Sequence, residues 1–230
     1  MSRRVPDHAR LEIKFVASEL EVHHLRQWLR LHPAGFYTPH PDRHVNNVYF
    51  DTHNYFAFTE NLSGASARTK VRYRWYGHHD YPVAGALEIK CKRNYFGWKL
   101  RFDAREPPCS SGDSWHDIRT NLIEQLEPEA RKWLEANPHP VILNRYHRSY
   151  FVTHDGRVRA TIDTGQVMYD QRYKPGLNIT RPANIPETLV LEFKFARSDR
   201  DLASQIIQGL PLRVSRNSKY MTGVKAIHGY

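Results

Sequence analysis

The chain carries 230 residues, with 34 Lys and Arg against 24 Asp and Glu for a formal net charge of +10 and an isoelectric point near 9.7. That length suits one domain, residues 1–230, with a core that needs neither disulfides nor structural metal, and 40% hydrophobic residues with five Trp exclude a disordered chain. No apolar run approaches the roughly eighteen residues that span a bilayer, so direct membrane insertion is not expected, and the basic excess favours phosphate-rich partners.

In chain order, Met1-Ser2-Arg3-Arg4-Val5-Pro6-Asp7-His8 has no apolar stretch behind its arginines, which argues against a secretory signal. A first strand is expected over 10–17, with Arg10, Glu12 and Lys14 on one face and Leu11, Ile13 and Phe15 on the other. Ser18 with Glu21 reads as a capping box for a helix whose apolar stripe is Val22, Leu25, Trp28 and Leu29. A short strand over 47–51 and a helical turn over 55–62 precede strands near 67–76, 86–92 and 98–103, the last two joined by a tight turn at Asn94–Gly97. Residues 114–136 pattern as a helix interrupted near Pro128. Strands at 141–153 and 157–163 flank the turn His154-Asp155-Gly156, and another covers 187–195. Ser198 is placed to cap a helix near 199–208, and a final helix falls near 217–226. Eight strands suffice to close a small barrel. The expected class is therefore α+β, an eight-stranded antiparallel β-barrel tunnel with peripheral helices.

The strands sort charge from apolar bulk at a period of two, as in Lys70-Val71-Arg72-Tyr73-Arg74-Trp75 and Leu87-Glu88-Ile89-Lys90-Cys91-Lys92. Parity gathers Lys14, Lys70, Arg72, Arg74, Lys90, Lys92, Lys99, Arg101, Arg148, Arg157, Arg159 and Lys194 on the charged faces, against Glu12, Glu88, Asp163 and Glu192. A closed sheet with that face inward makes a basic tunnel, self-repelling when empty and stabilised by a chain of phosphates. Arg supplies bidentate forks to phosphate oxygens and Lys supplies point charges. The carboxylates suit Mg²⁺ or Mn²⁺ bridging to those oxygens. Tyr73 and Trp75 fall on the apolar face and read as core, as does the thiol of Cys91. With only Cys91 and Cys109 present, a reducing, cytoplasmic location fits. Adjacent His pairs diverge too far to share a metal, and no glycine-rich phosphate cradle occurs.

The ordered pieces Arg10-Leu11-Glu12-Ile13-Lys14, Val48-Tyr49-Phe50-Asp51, Arg72-Tyr73-Arg74-Trp75-Tyr76-Gly77, Leu87-Glu88-Ile89-Lys90, Tyr146-His147-Arg148-Ser149-Tyr150, Arg157 to Thr164, Leu191-Glu192-Phe193-Lys194 and Ser218-Lys219-Tyr220 resemble the triphosphate tunnel metalloenzyme (CYTH) superfamily. Within it they are most similar to the vacuolar transporter chaperone (VTC) domain, the catalytic domain of polyphosphate polymerase. The resemblance implies that Lys14, Arg72, Arg74, Lys90, Arg148, Arg159 and Lys219 grip phosphates as the catalytic set. Arg10, Lys92, Lys194, Arg216 and Ser218 would add phosphate contacts, and Glu192, with Glu12 and Glu88, would hold Mn²⁺ or Mg²⁺. It further implies metal-dependent phosphoryl transfer that builds or shortens linear polyphosphate from ATP. The alternatives are a triphosphatase on inorganic, nucleoside or RNA 5′-triphosphate, or a non-catalytic polyphosphate-binding module. Expected partners are ATP, triphosphate or polyphosphate but not duplex DNA, with a separate membrane partner needed for any export. Two departures stand out. Arg10 replaces the first Glu of the superfamily's Glu-x-Glu-x-Lys opening, and Arg216 stands where the family tends to carry Lys.

Overall fold

The computed structural model describes residues 5–229, so Met1–Arg4, whose arginines entered the reading of the N-terminus, lie outside the described residues. Eight strands form the sheet: β1 (Arg10–Ser18), β2 (Arg43–Asp51), β3 (Ala67–Tyr76), β4 (Gly85–Arg93), β5 (Phe96–Ala104), β6 (His139–Val152), β7 (Val158–Asp170) and β8 (Thr188–Phe195). They close in the order β1-β5-β4-β3-β2-β6-β7-β8, with every neighbour antiparallel. Among the described residues the helices are α1 (Val22–Leu31), α2 (Phe56–Leu62), α3 (Trp115–Gln125), α4 (Pro128–Ala136), α5 (Arg200–Ile207) and α6 (Lys219–His228). None is long and apolar enough to cross a membrane.

Closure lets each strand bury both faces, because the charged side chains have an enclosed volume to enter and the apolar ones are left outward for helices. Val48, Phe50, Val71, Tyr73, Trp75, Leu87 and Ile89 pack against Trp115, Ile118, Leu122 and Leu134 of α3 and α4. On the opposite wall Phe15, Val158, Ala160, Ile162, Leu191 and Phe193 pack against Leu25 and Leu29 of α1 and Ala203 and Ile206 of α5. Cys91 belongs to the first of these cores, and burial pushes its thiol up to about 11, which keeps it protonated and inert. A third, smaller cluster joins α6 to α2 and to Tyr49, Val141, Ile142 and Met168. It draws α6 across the Asp51 end of the barrel. Gly223 permits that approach, since a Cβ there would collide with Ile142 and Met168. Tyr220 donates to Asp51 at 2.5 Å, and Asp51 also accepts from the amides of Ala57 and Phe58, so one buried carboxylate ties α6 to the start of α2.

Some local expectations shift. β7 continues to Asp170 rather than ending at residue 163, because the β6–β7 ladder resumes after an irregularity between Arg145 and His147. Ser18 accepts from Leu20 and caps a 3-10 turn over Glu19–Glu21, with α1 starting only after it. Ser198 lies inside another such turn, Arg197–Asp199, and α5 begins without a side-chain cap. The Asp199 carboxylate, which stands at the cap position, is taken instead by Arg157 at 2.6 and 2.8 Å.

A charged barrel interior as the candidate functional site

Register fixes what faces the interior. Lys14 lies opposite Glu192, and Glu12 opposite Lys194. Arg72 lies opposite Glu88 and Lys70 opposite Lys90, Lys90 opposite Lys99, Arg148 opposite Asp163 and Arg159 opposite Lys194. Directly opposed residues share a face, so the alternating charges of seven strands meet in one lined volume.

The lining divides into ion-pair groups. Glu88 is fully buried and takes Arg72 through Oε2 at 2.6 and 3.0 Å and Lys99 through Oε1 at 2.6 Å, with Arg74 3.7 Å away. Arg74 also donates to Asn47 at 2.7 Å and to the Tyr146 hydroxyl at 3.0 Å. Burial would push Glu88 up, but Arg72, Arg74 and Lys99 outweigh it and hold the carboxyl far below its usual range. Asp163 is similar: Arg148 grips both oxygens at 2.6 and 2.7 Å and Lys219, the first residue of α6, adds a bond at 2.6 Å. Lys219 also lies 4.6 Å from the Tyr146 ring centroid, and Arg148 lies 5.3 Å from it.

The third group is richer in lysine. Glu192 meets Lys14 at 3.0 Å and also pairs with Lys194, while Glu12 meets Lys90 at 3.1 Å and has Lys14 and Lys194 each at 3.9 Å. Burial would raise Glu12, but Lys90, Lys194 and Lys14 together hold it down to about 2 against the repulsion of Glu192. Lys90 goes the other way: burial brings it down to about 8, because Glu12 and Glu192 offset desolvation and the neighbouring lysines only in part. Lys70 donates to Ser218 Oγ at 2.7 Å. Its ammonium is depressed by burial and by Lys90, Lys14, Arg68 and Arg72.

The expected site residues thus fall in distinct places. Lys14, Arg72, Arg74, Lys90, Arg148, Lys194 and Lys219 converge on the interior. Lys92 adjoins the lysine-rich group, depressed by burial and then by Arg68, with Lys14 and Arg216 contributing. Arg159 is exposed and, with Arg10 and Lys194, lines a cavity of about 160 Å³ at the mouth away from α6. Arg157, grouped by parity with the lining, is claimed by Asp199 at that cavity's edge. Ser218 does double duty, accepting from Lys70 and, at 3.4 Å, from the Met221 amide as the cap of α6. Tyr146 and Asn47, given no role from sequence, are the neutral groups that hold Arg74. Their signal was parity with Arg148 and Tyr49. Thr161 lies opposite Glu192, and its buried hydroxyl finds no protein partner.

The carboxylates differ in what they offer a divalent ion. Among the described residues no three His, Cys, Asp or Glu side chains converge as a ready-made cage. Glu88, expected among the metal ligands, has both oxygens committed to cations and serves as their counter-ion, and Asp163 is equally saturated. Glu12 fits better, since no cation lies closer to its Oε1 than Lys194 at 3.9 Å, and Glu192 beside it is held by lysines alone, Lys14 at 3.0 Å and Lys194. They are ionised, share Lys14 and Lys194, and supply hard oxygens of the kind that hold Mg²⁺ or Mn²⁺ when phosphate oxygens complete the shell.

The fold and its lining define a closed basic barrel of the triphosphate tunnel class, with cations on every inner wall and ionised carboxylates among them. The chain belongs to the VTC domain family, whose model matches residues 9–228. Among solved structures it is similar to HpAC1 of Hippeastrum, assigned as an adenylyl cyclase and found to have a dominant triphosphatase activity, with a TM-score of 0.54 at 12% identity over 96% of this chain and 95% of that one. It is also similar to a Vibrio parahaemolyticus protein assigned as an adenylate cyclase, with a TM-score of 0.50 at 9% identity over 94% and 97% of the two chains. At such identities the likeness is one of fold. No curated protein sequence matches the chain.

Proposed function

We propose that the chain carries out phosphoryl transfer on a linear phosphate chain, building or shortening polyphosphate with ATP or a shorter phosphate chain as donor. The observation that carries this reading is the convergence of Lys14, Arg72, Arg74, Lys90, Arg148, Lys194 and Lys219 on the interior of a closed barrel, a setting that suits a narrow, flexible polyanion. VTC membership supports it, and so does the fold likeness to a protein with triphosphatase activity. In the proposed arrangement Arg72 and Arg74 of β3 and Arg148 of β6 hold phosphate oxygens from the two strands that flank β2 on one wall, and Arg10 and Arg159 receive the chain at the mouth. Lys90 and Lys14 face the transferred group, where charge spreads over its oxygens in a loose transition state. Glu192 and Glu12 would hold Mn²⁺ or Mg²⁺, which neutralises phosphate oxygens when bound.

The competing reading is hydrolysis of triphosphate. Arg10 stands where the superfamily's first Glu would be, which removes a carboxylate able to position a water and favours transfer over hydrolysis. Incubating the pure protein with ATP and Mn²⁺ and running the products on a gel stained for polyphosphate decides between them. A ladder is expected. Free phosphate without a ladder would assign triphosphatase activity, and tight binding without turnover would assign a binding module.

A further inference from the structure

The outer wall of the barrel carries a titratable cluster that phosphate binding leaves unused. His44 of β2 and His147 of β6 lie directly opposite each other, on the face turned away from Arg43 and Arg148. Their ring centroids are 4.9 Å apart. The connection from β3 to β4, residues 77–84, folds back over the same face and lays the ring of His78 on His44, with centroids 3.4 Å apart. Gly77 permits the fold-back: its φ of +99° suits glycine, and a Cβ there would come within 2.9 Å of the His79 ring. The Gly77 amide donates to the His44 carbonyl at 3.0 Å, which brings His78 to the stack. Three imidazoles from three chain segments therefore meet in series, His78 on His44 and His44 against His147.

The charges that face this stack are few. From β6, Arg145 donates to Asp80 Oδ1 at 3.2 Å, to the Asp80 carbonyl at 2.5 Å and to the His79 carbonyl at 3.3 Å, so the one carboxylate of the loop is already taken. The other titratable groups of the loop are His79, which abuts Gly77, and Tyr81, which turns away to accept from Ser111 at 3.3 Å. Ahead of β2, Asp42 lies 3.9 Å from His147, and it also accepts from Arg26 of α1 at 3.0 Å and from Ser149 at 2.7 Å. Among the described residues no carboxylate pairs with His44 or His78. Burial, then His78 and His147, hold the His44 imidazole below its usual value, which keeps the middle ring of the stack neutral at neutral pH.

We propose that the stack is an acid-released latch for the β3–β4 loop: neutral rings hold residues 77–84 against the outer wall, and protonation sets them free. Asp42 supplies a counter-charge for one proton at the His147 end of the row. A further proton has to go to His44 or His78, where nothing offsets it and imidazolium rings in contact repel. Moving His78 relieves that repulsion, because it sits on a loop, whereas His44 and His147 are fixed by the β2–β6 ladder. The sign follows from His44. It regains its ordinary proton affinity only when His78 leaves, so the released state binds more protons and gains population as pH falls through about 6.5. The loop runs directly into Gly85, the first residue of β4, so release loosens that strand end.

The test attaches a nitroxide spin label to Ala84→Cys, an exposed position at the end of the loop. Cys91 and Cys109 are buried, which leaves the introduced thiol as the reactive one. The electron paramagnetic resonance line shape is followed from about pH 8 to about pH 5 at fixed ionic strength. With the histidines intact, a mobile component should grow to most of the signal as pH falls, centred near about pH 6, and should vanish when neutral pH is restored. His78→Phe keeps an aromatic ring on His44 without a proton site, and His44→Phe does the same from the strand. In either background the mobile component should stay at its pH 8 level throughout. His78 is an exposed loop residue, so its substitution leaves the core untouched and decides the matter even if His44→Phe fails to fold. A label that stays immobile at low pH, or one that is released equally in His78→Phe, overturns the latch. No phosphate ligand is used, so the outcome stands apart from the proposed activity.

Discussion

The two sides of the barrel interior neutralise their charge differently. Around Glu88 and Asp163, arginines dominate and each carboxylate oxygen meets a cation at hydrogen-bond distance, so the groups are locked even though the cations outnumber the two acids. Around Glu12 and Glu192, lysines dominate. Lys14 and Lys194 are shared between the two acids, Lys70 donates to a hydroxyl, and Lys90 and Lys70 are both depressed by burial. The first side is framework, a set of forks fixed in place before any ligand arrives. The second is looser, with the Lys70 and Lys90 ammoniums depressed by burial and by neighbouring lysines, and a polyanion entering it would relieve that repulsion. A uniformly lined tunnel would be frustrated throughout. This one confines the frustration to the lysine wall, where phosphate would do the most good.

Breaking the framework side should have the largest effect. Glu88→Gln leaves Arg72, Arg74 and Lys99 without their shared counter-ion in a fully buried place, and removing one partner of a buried charge group costs about 3–5 kcal/mol. Urea denaturation should show that loss, with part of it restored by saturating tripolyphosphate. A change under about 1 kcal/mol would mean the three cations find other partners and the framework description is wrong.

Glu192→Gln probes the other side. The near-isosteric amide keeps the packing, and Glu12 remains to face Lys14 and Lys194. The fold and tripolyphosphate affinity should therefore persist, while Mn²⁺-dependent turnover falls by about a hundredfold or more, equivalent to roughly 2.7 kcal/mol of transition-state stabilisation. Turnover within twofold of wild type would take Glu192 out of the metal role.

Much of this contrast was legible in the sequence. Period-two alternation marked all eight strands, though it ended β7 at residue 163, and parity put Lys14, Arg72, Arg74, Lys90 and Lys194 inside and Val71, Tyr73, Ile89 and Phe193 outside, while Arg159, expected inside as well, is exposed at the mouth. Pairing was not legible, because it depends on register between strands distant in the chain. That Glu88 serves Arg72 and Lys99, and Asp163 serves Arg148 and Lys219, follows from the β3–β4–β5 and β6–β7 ladders and from where α6 docks. The count of basic against acidic residues therefore overstated the frustration of the empty barrel. Arg157 shows the same limit from another direction: it has the parity of the lining, yet lies at the strand's end within reach of Asp199.

Ligand stabilisation sharpens the comparison further. A polyanion at one hundred times its dissociation constant stabilises the fold by about 2.7 kcal/mol, which for a chain of this size raises the melting midpoint by roughly 5–10 °C. Scanning fluorimetry at constant ionic strength should show that shift with tripolyphosphate, much less with monophosphate and least with duplex DNA, which a barrel of eight strands cannot admit. Equal shifts from monophosphate and tripolyphosphate would place binding on an open basic surface.

The smallest expected effect is the one most particular to the lysine wall. Lys90 sits at about 8 in the folded protein because burial and the neighbouring lysines outweigh Glu12 and Glu192, below the 10.5 of an ordinary lysine. Between those values the unfolded chain binds a proton that the folded one lacks, so Lys90 makes the empty protein gain stability as pH rises from about 8 toward 10.5, and that contribution is lost as pH falls through 8. A bound phosphate chain reverses the local field and favours the charged ammonium. Binding near pH 8 should therefore take up a fraction of a proton, and affinity should decline as pH rises further. Calorimetry of tripolyphosphate binding in two buffers of different ionisation enthalpy measures that uptake directly. Lys90→Arg should abolish most of it, because a guanidinium stays charged at this pH. Proton release on binding, or uptake unchanged in the Lys90→Arg variant, would show that the ammonium of Lys90 is already fully charged in the empty barrel and that the two sides differ less than their partners suggest.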